Sequence, residues 1–512
     1  MTMRPGYNCK PISKFIEARR WAAVLATLIF AAAASAVVLP NLFPFPDPTG
    51  FSATYNQVGP IDQSNPFFQV LGTNGRSCSS CHVASDDFGL RAATAQARFL
   101  LTRGSDPLFA PVDGANCPNG SSRNPADHSL LLKNGLIRIP LTLPLNSEFT
   151  ISAAHDPYGC AIAVDPHTGA QTISVYRRPL PATNLRFLSA VMFDGRETIQ
   201  PLSDPNTFVA NLVIDLKHQA VDATLGHAQA AIPPTDAQQT AMVNFEMGLY
   251  SAQVWDSKAG LLSSGSALGG PYNVSQQEYH PGTNDSLGHD PNGNPFNPGV
   301  FTLFQGWANA SISPAGTPNS LSEAQVQARQ QIAAGEAIFN THPLIISSVR
   351  GLNDNSALGS VPVPPFQGTC TTCHDTPNVG DHSLPVPLDI GTGHSEVNEP
   401  DPSIANGLSQ LDNPDLPVYE IHGCPDPFAS PGSSTPYVIY STDPGKALLT
   451  GKCVDINRIK GPILRGLAAR APYFHNGAAQ DLNQVVNFYN QRFQMNLTDQ
   501  EKAQLVAFLN SL

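Results

Sequence analysis

Apolar positions in this chain mostly come in short clusters broken by turn residues, but three stretches keep a helical period. In "LSEAQVQARQQIAAGEAIFN", residues 321 to 340, Ala328, Ile332, Gly335 and Phe339 share one face, and Ser322 with Gln325 makes a capping box. After Asp481, which is placed to cap, Leu482, Val485, Val486 and Tyr489 run along one side. A closing helix starts at Thr498, with Glu501 completing a second box and Leu505, Phe508, Leu509 and Leu512 on its apolar face. The polar stretch of residues 275 to 299 reads as an insertion over a compact core. The pattern divides the chain into a proline-rich lead at 37–65 and two globular regions, 66–320 and 321–512. The boundary falls just before the Ser322 helix.

Composition reinforces this picture. With 47 Pro and 40 Gly among 512 residues, turns and long irregular loops should be common. The expected fold is mainly α, with little sheet and large insertions in the N-terminal half. The apolar run "WAAVLATLIFAAAA", residues 21 to 34, follows Arg4, Lys10, Lys14, Arg19 and Arg20 and leads into Ala34-Ser35-Ala36. This is the layout of a cleavable export signal over 1–36, and it points to the periplasm; the competing reading is an uncleaved N-terminal anchor. Cleavage removes five positive charges and one negative charge, taking the formal net charge from −12 to −16. Such a surface favours a basic redox protein over nucleic acid.

The nine cysteines sharpen the chemistry. Cys9 leaves with the signal. Cys78, Cys81 and His82 spell C-x-x-C-H, and Cys370, Cys373 and His374 repeat it. This is the attachment pattern of c-type haem: two thiols three positions apart meet the two vinyl groups, and the next residue brings an imidazole under the iron. Zinc would need further Cys or His at close spacing, which neither copy has. Two covalent haem c groups are therefore expected. Cys117, Cys160, Cys424 and Cys453 remain, and an oxidising compartment makes them disulfide candidates. Cys117–Cys160 with Cys424–Cys453 keeps each bond within one half, but three connectivities exist and sequence does not choose among them.

"FLSAVMFDGRET", residues 187 to 198, and "GPILRGLAARAPYFHNGAAQDLNQVVNFYN", residues 461 to 490, resemble two signature stretches of the bacterial dihaem cytochrome c peroxidase family, which includes MauG. The order of all four motifs agrees, although the 288 positions from His82 to Cys370 exceed the usual gap and imply large insertions. The resemblance implies two cytochrome c-like haem domains, a peroxidatic haem at His82 and an electron-transfer haem at His374. Where relatives carry a capping His after the first motif, this chain has Arg98, so the site opposite His82 is expected to hold water or peroxide. A ligand from a distant loop, such as His128, His155, His280 or His289, is the competing reading. The distal ligand of the second haem falls by resemblance at Tyr489, fourteen positions after His475, with Met495 and His422 in reserve. An axial phenolate lowers iron potential.

Two positions depart from the family. The inter-haem Trp is Phe193 here, leaving Trp255, Trp307 and Tyr176 as unplaced alternatives. Aligning the distal acid–base segment on Gln219 puts Gln229 where relatives carry Glu, with His227 and Asp222 as the nearest titratable groups. His227 is the expected proton-transfer group, since imidazole titrates near neutrality. The resemblance also implies calcium, through backbone carbonyls near Arg470 and Pro472. The expected activity is reduction of hydrogen peroxide with electrons from a small redox protein, a cytochrome c or a copper protein. A homodimer is left open. Two other readings stand beside it: a MauG-like or rubber-oxygenase-like oxidant of a protein or organic substrate, and a dihaem electron carrier without substrate chemistry.

Overall fold

The computed structural model describes residues 38–202, 204–312, 320–354, 362–380, 383–393, 413–428 and 437–512. The expected export signal lies outside them. Helix accounts for 30 % and strand for 16 %. The principal helices are α1 (Ala92–Thr102), α2 (Phe208–Gly226), α3 (Asp236–Met247), α4 (Glu323–Thr341), α5 (Leu482–Arg492) and α6 (Asp499–Leu509). Capping chemistry sets their starts. Ser322 Oγ accepts from Gln325 N and Thr498 Oγ1 from Glu501 N, while Asp481 Oδ1 accepts from Gln484 N. No described helix is long and apolar enough to cross a membrane.

Twelve strands form four small antiparallel sheets among the described residues. They are β1 (Phe45–Pro46), β2 (Gly50–Asn56), β3 (Ile137–Thr142), β4 (Thr150–His155), β5 (Ile162–Val164), β6 (Gln171–Arg177), β7 (Leu249–Asp256), β8 (Gly260–Leu261), β9 (Leu344–Ile346), β10 (Phe366–Gly368), β11 (Val418–His422) and β12 (Ile439–Ser441). The orders are β1-β2-β7-β8, β3-β6-β5, β12-β11-β4 and β10-β9. Part of the proline-rich lead thus becomes β1 and β2, with Ser52 opposite Gln253 on β7.

The two regions interlock. Strand β11 pairs with β4, so Tyr419 and Ile421 pack into a core with Ile139, Phe149 and Val175. In the other direction, Leu262, Phe304 and Trp307 precede Ser322 yet pack with Ile332, Phe339 and Phe508. Gly335 lets α4 approach α6 closely: a Cβ there would lie 2.0 Å from the Gln504 carbonyl oxygen. The polar insertion braces the second haem motif, Thr371 donating to Pro298 O at 3.0 Å and Ser286 to Thr372 O at 3.2 Å.

The structure pairs Cys117 with Cys160 and Cys424 with Cys453, closing separations of 43 and 29 residues. Replacing both Cys117 and Cys160 by Ala is expected to cost about 2–5 kcal/mol, because the unfolded chain regains the freedom of that loop. The check is a lower urea midpoint; an unchanged midpoint would show that the bond contributes nothing to stability.

Candidate functional site

Both C-x-x-C-H segments fold the same way. Cys78–Ser80 is a short helical turn, with Ser77 N donating to Ser80 Oγ, and His82 N donates to Cys78 O at 3.0 Å. Cys370–Thr372 repeats it with Thr369 and Thr372, and His374 N donates to Cys370 O at 3.0 Å. Each turn places two thiols and one imidazole at a single cavity. His82 Nδ1 meets Phe88 O at 3.1 Å, and His374 Nδ1 meets the carbonyls of Val379 and Gly380 at 3.0 Å. Backbone acceptors on Nδ1 leave Nε2 free to bind a metal, the usual arrangement of a ligating His. Burial lowers the pKa of both rings, that of His82 to about 4, so both are neutral and able to ligate. The four free cysteines among the described residues are those of the two motifs. These donors fit two covalent haem groups.

The first cavity is roofed by one face of α2 and its C-cap: Gln219, Ala223 and His227 line it, with Glu246 from α3. His227 Nδ1 is hydrogen-bonded to Asp113 Oδ2, and the other oxygen of Asp113 pairs with Arg76. Arg76 is itself fixed by the carbonyls of Pro107 and Leu108, both at 2.7 Å. Burial works to raise the Asp113 pKa, but His227 and Arg76 outweigh it and hold the carboxyl below its ordinary range. Glu246 shows the opposite balance: burial, with no offsetting partner among the described residues, pushes its pKa up to about 8.

The other expected residues lie elsewhere. Arg98 does not line the cavity; it pairs with Asp106, and its Nη1 donates to Ser80 O at 2.5 Å, bracing the first motif turn. His128 is buried, with both nitrogens at carbonyls, those of Gly114 (2.6 Å) and Ser121 (3.1 Å). His155 is exposed on β4, His280 packs on Phe208, and His289 sits near Asp285; none lines the first cavity. Gln229 lies past the end of α2, accepting from Asn74 Nδ2 at 3.3 Å, outside the cavity. Asp222 is on the opposite face of α2, grouped with Glu197 and His218.

The second cavity is lined by Tyr489, Met495, His475 and Phe339. The Tyr489 ring stacks on Phe493 at 5.8 Å, and burial raises the phenol pKa, with Cys373 and Cys370 adding to it. His422 is outside this cavity, half-exposed on β11 and 3.1 Å from Glu420.

One wall belongs to both cavities. Arg178, Pro179, Leu180 and Phe193 line each of them. The turn carrying Phe193 is locked by Asp194, which pairs with Arg177 and Arg196, while Arg177 also grips Asp443 at 2.6 Å. Phe193 packs edge-on to His475 at 6.0 Å. Trp255 is half-exposed, Trp307 lies under Arg329, and Tyr176 donates to Asn116 O; none of the three reaches either cavity.

Asp87 is buried, and neither of its carboxylate oxygens makes a well-formed hydrogen bond among the described residues. Oδ2 fills the space a Cβ on Gly466 would take, 2.1 Å from that position. Burial raises its pKa to about 8, against the opposing pull of the Ser52 hydroxyl and then of the Arg470 charge.

No family model matches this chain. Part of it is similar to a protein named cytochrome-c peroxidase IdrP2, from Denitromonas iodatirespirans, 31 % identical over 158 residues. The match covers 28 % of this chain and 36 % of that relative, so the chain spans little more than a third of the relative's length. The likeness supports a cytochrome c peroxidase-like family and does not single out MauG.

Proposed function

We propose that this chain is an exported dihaem c-type peroxidase that reduces hydrogen peroxide in the cavity of His82. Electrons would enter through the cavity of His374. The observation that carries the reading is the Asp113–His227 pair facing the His82 cavity, together with the likeness to a named cytochrome-c peroxidase. When bound, haem supplies the iron centre at which O–O cleavage and electron transfer take place. Cys78, Cys81 and His82 would hold one group, and Cys370, Cys373 and His374 the other, with Tyr489 as its distal ligand.

The side chains supply proton handling. Asp113 accepts from His227 Nδ1 and so keeps Nε2 as a proton acceptor toward the cavity. His227 takes the proton of the first peroxide oxygen and delivers it to the departing one, which leaves as water. Glu246 stays protonated at neutral pH, a second donor on the same cavity. Gln219 adds an amide that orients the bound molecule. Phe193, with Arg178, Pro179 and Leu180, spans the distance between the two cavities, so electron passage runs through this packed wall without an oxidisable ring. The donor is a basic redox protein, matched to the formal charge of −12 on the whole chain. Stopped-flow addition of peroxide, with and without a reduced cytochrome c, tests the reading: the absence of peroxide-dependent oxidation of the donor removes it.

Calcium belongs to the same proposal. The buried carboxylate of Asp87 beside Gly466 would offer oxygens to a hard cation, and the family resemblance adds the backbone carbonyls near Arg470 and Pro472. Chelator treatment is then expected to lower the melting temperature, with calcium restoring it; a ligand at a hundred times its Kd stabilises by about 2.7 kcal/mol. An unchanged melting temperature, with no calcium by elemental analysis, would remove the cation from the proposal.

A further inference from the structure

The residue that follows the "FDGR" segment of this chain, Glu197, is not used by the peroxide reading. Glu197 follows Arg196, which lines the first cavity, but its own side chain turns to the back of α2. There its Oε2 meets His218 Nδ1 at 2.6 Å, and Asp222 stands one turn further along the helix. One donor atom from each of Glu197, His218 and Asp222 lies within 4.8 Å of the others. Donors about 2.1 Å from a shared ion stand at most about 4.2 Å apart, so a small closure of the exposed Asp222 completes the spacing.

A fourth residue supplies an independent sign. Asp215 lies one turn before His218 on the same helix and is fully buried. Its Oδ1 accepts the N–H groups of Ile199 and Gln200 at 3.0 Å, which closes the motif turn onto the helix. Its Oδ2 is buried and has no partner among the described residues, and its charge acts on His218. A buried carboxylate oxygen left unpaired one helical turn before His218 calls for a water or a cation to complete it. Arg196, whose Nε lies 3.8 Å from Glu197, offsets only part of this charge, since it also serves Asp194.

We propose that Glu197, His218 and Asp222 form a binding site for a divalent transition-metal ion on the outer face of α2, with Asp215 supporting it from behind. One imidazole with carboxylates suits manganese or zinc better than calcium, which prefers an all-oxygen shell. Binding replaces the proton shared by His218 and Glu197. Entry is direct, because the His218 side chain is 46 % exposed. The ion would tie the motif turn carrying Phe193 to the helix carrying His227. The proposal does not depend on the peroxidase reading.

The test uses the full haem-loaded protein, stripped with a chelator and kept in excess calcium so that hard-cation sites are filled. MnCl2 is titrated while the free Mn2+ resonance signal is followed, and ZnCl2 binding is measured by elemental analysis after desalting. One equivalent of manganese or zinc per chain is expected. His218→Gln and Asp222→Asn change exposed positions and should fold, which the haem spectrum checks. Each should weaken binding by more than the roughly 10–100-fold that loss of a mere supporting partner costs. No stoichiometric binding of either metal by the wild-type protein overturns the site. So does binding that both variants retain unchanged.

Discussion

Replacing His227 by Ala is expected to lower peroxide turnover by about 10²–10⁴-fold, the usual range for removing a positioned acid–base group. The change should keep both C-x-x-C-H turns, since the hydrogen bonds of His227 beyond its own helix go to Asn74, Arg76 and Asp113 and not to Cys78–Ser80 or Cys370–Thr372. Peroxide binding should survive while the step that breaks it slows. Asp113→Asn should give a smaller loss in the same direction, because it removes the carboxylate that fixes the tautomer. Glu246→Gln separates the second acid. With its pKa at about 8, the Glu246 carboxyl is protonated below that pH and ionised above it, so a rate that uses the acid should fall as pH rises through 8. The Gln variant should lose that alkaline limb. A normal rate in His227→Ala would sink the acid–base role.

The same substitution decides what faces His82. A nitrogen donor tied to a carboxylate is also how proteins orient metal-ligating imidazoles. If the site opposite His82 is open, the fully oxidised protein reacts with peroxide at once and the His227→Ala spectrum is unchanged. A diferric protein that stays inert until reduced by one electron, and that turns high-spin in His227→Ala, would make His227 the capping ligand instead.

The legible part of the candidate site was the pair of C-x-x-C-H turns, because each pattern lies within five consecutive residues and needs no tertiary contact. The helices at 323–341, 482–492 and 499–509 were equally plain, since cap and apolar face agree in each. The distal groups were not. Counting ten positions from Gln219 to Gln229 assumes one continuous helix, yet α2 ends at Gly226 and Gln229 adopts φ 55°. Asp222, five positions before His227, is about 140° from it around the helix and so leaves the cavity face, whereas Gln219, Ala223 and His227 follow at four-residue steps and stay on it. Asp113 and His227 are 114 positions apart, and nothing local marks the pair. Glu246 was invisible because its role comes from burial against the cavity rather than from any neighbour in sequence. The strands were under-read because the insertions pair across the chain, as β4 does with β11.

Tyr489→Phe should remove the low-spin signal of the second haem and shorten the life of the peroxide-oxidised protein. Tyr489 lies on α5, an eleven-residue helix capped by Asp481, and its ring is sandwiched by packing: stacked on Phe493 at 5.8 Å and edge-on to Phe488 at 5.4 Å. Phe preserves both ring contacts, so a packing role predicts no change in spectrum or stability. The hydroxyl has no hydrogen-bond partner among the described residues and belongs to a side chain lining the cavity of His374. Burial raises its pKa, so only a strong Lewis acid on that side would draw the proton off; ferric iron is such an acid. Met495 lines the same cavity, and removal of the phenol leaves its thioether as the substitute donor. A hard anionic oxygen and a soft neutral sulfur sit at opposite ends of what axial ligands do within the roughly 0.8 V over which they set haem potential. The variant should therefore either lose the low-spin species or regain it at a higher potential through Met495, and Tyr489→Phe with Met495→Leu should leave no low-spin species at the second haem in either case. A wild-type potential, spectrum and oxidised-state lifetime in Tyr489→Phe would leave Tyr489 a packing residue and make Met495 the ligand in the native protein.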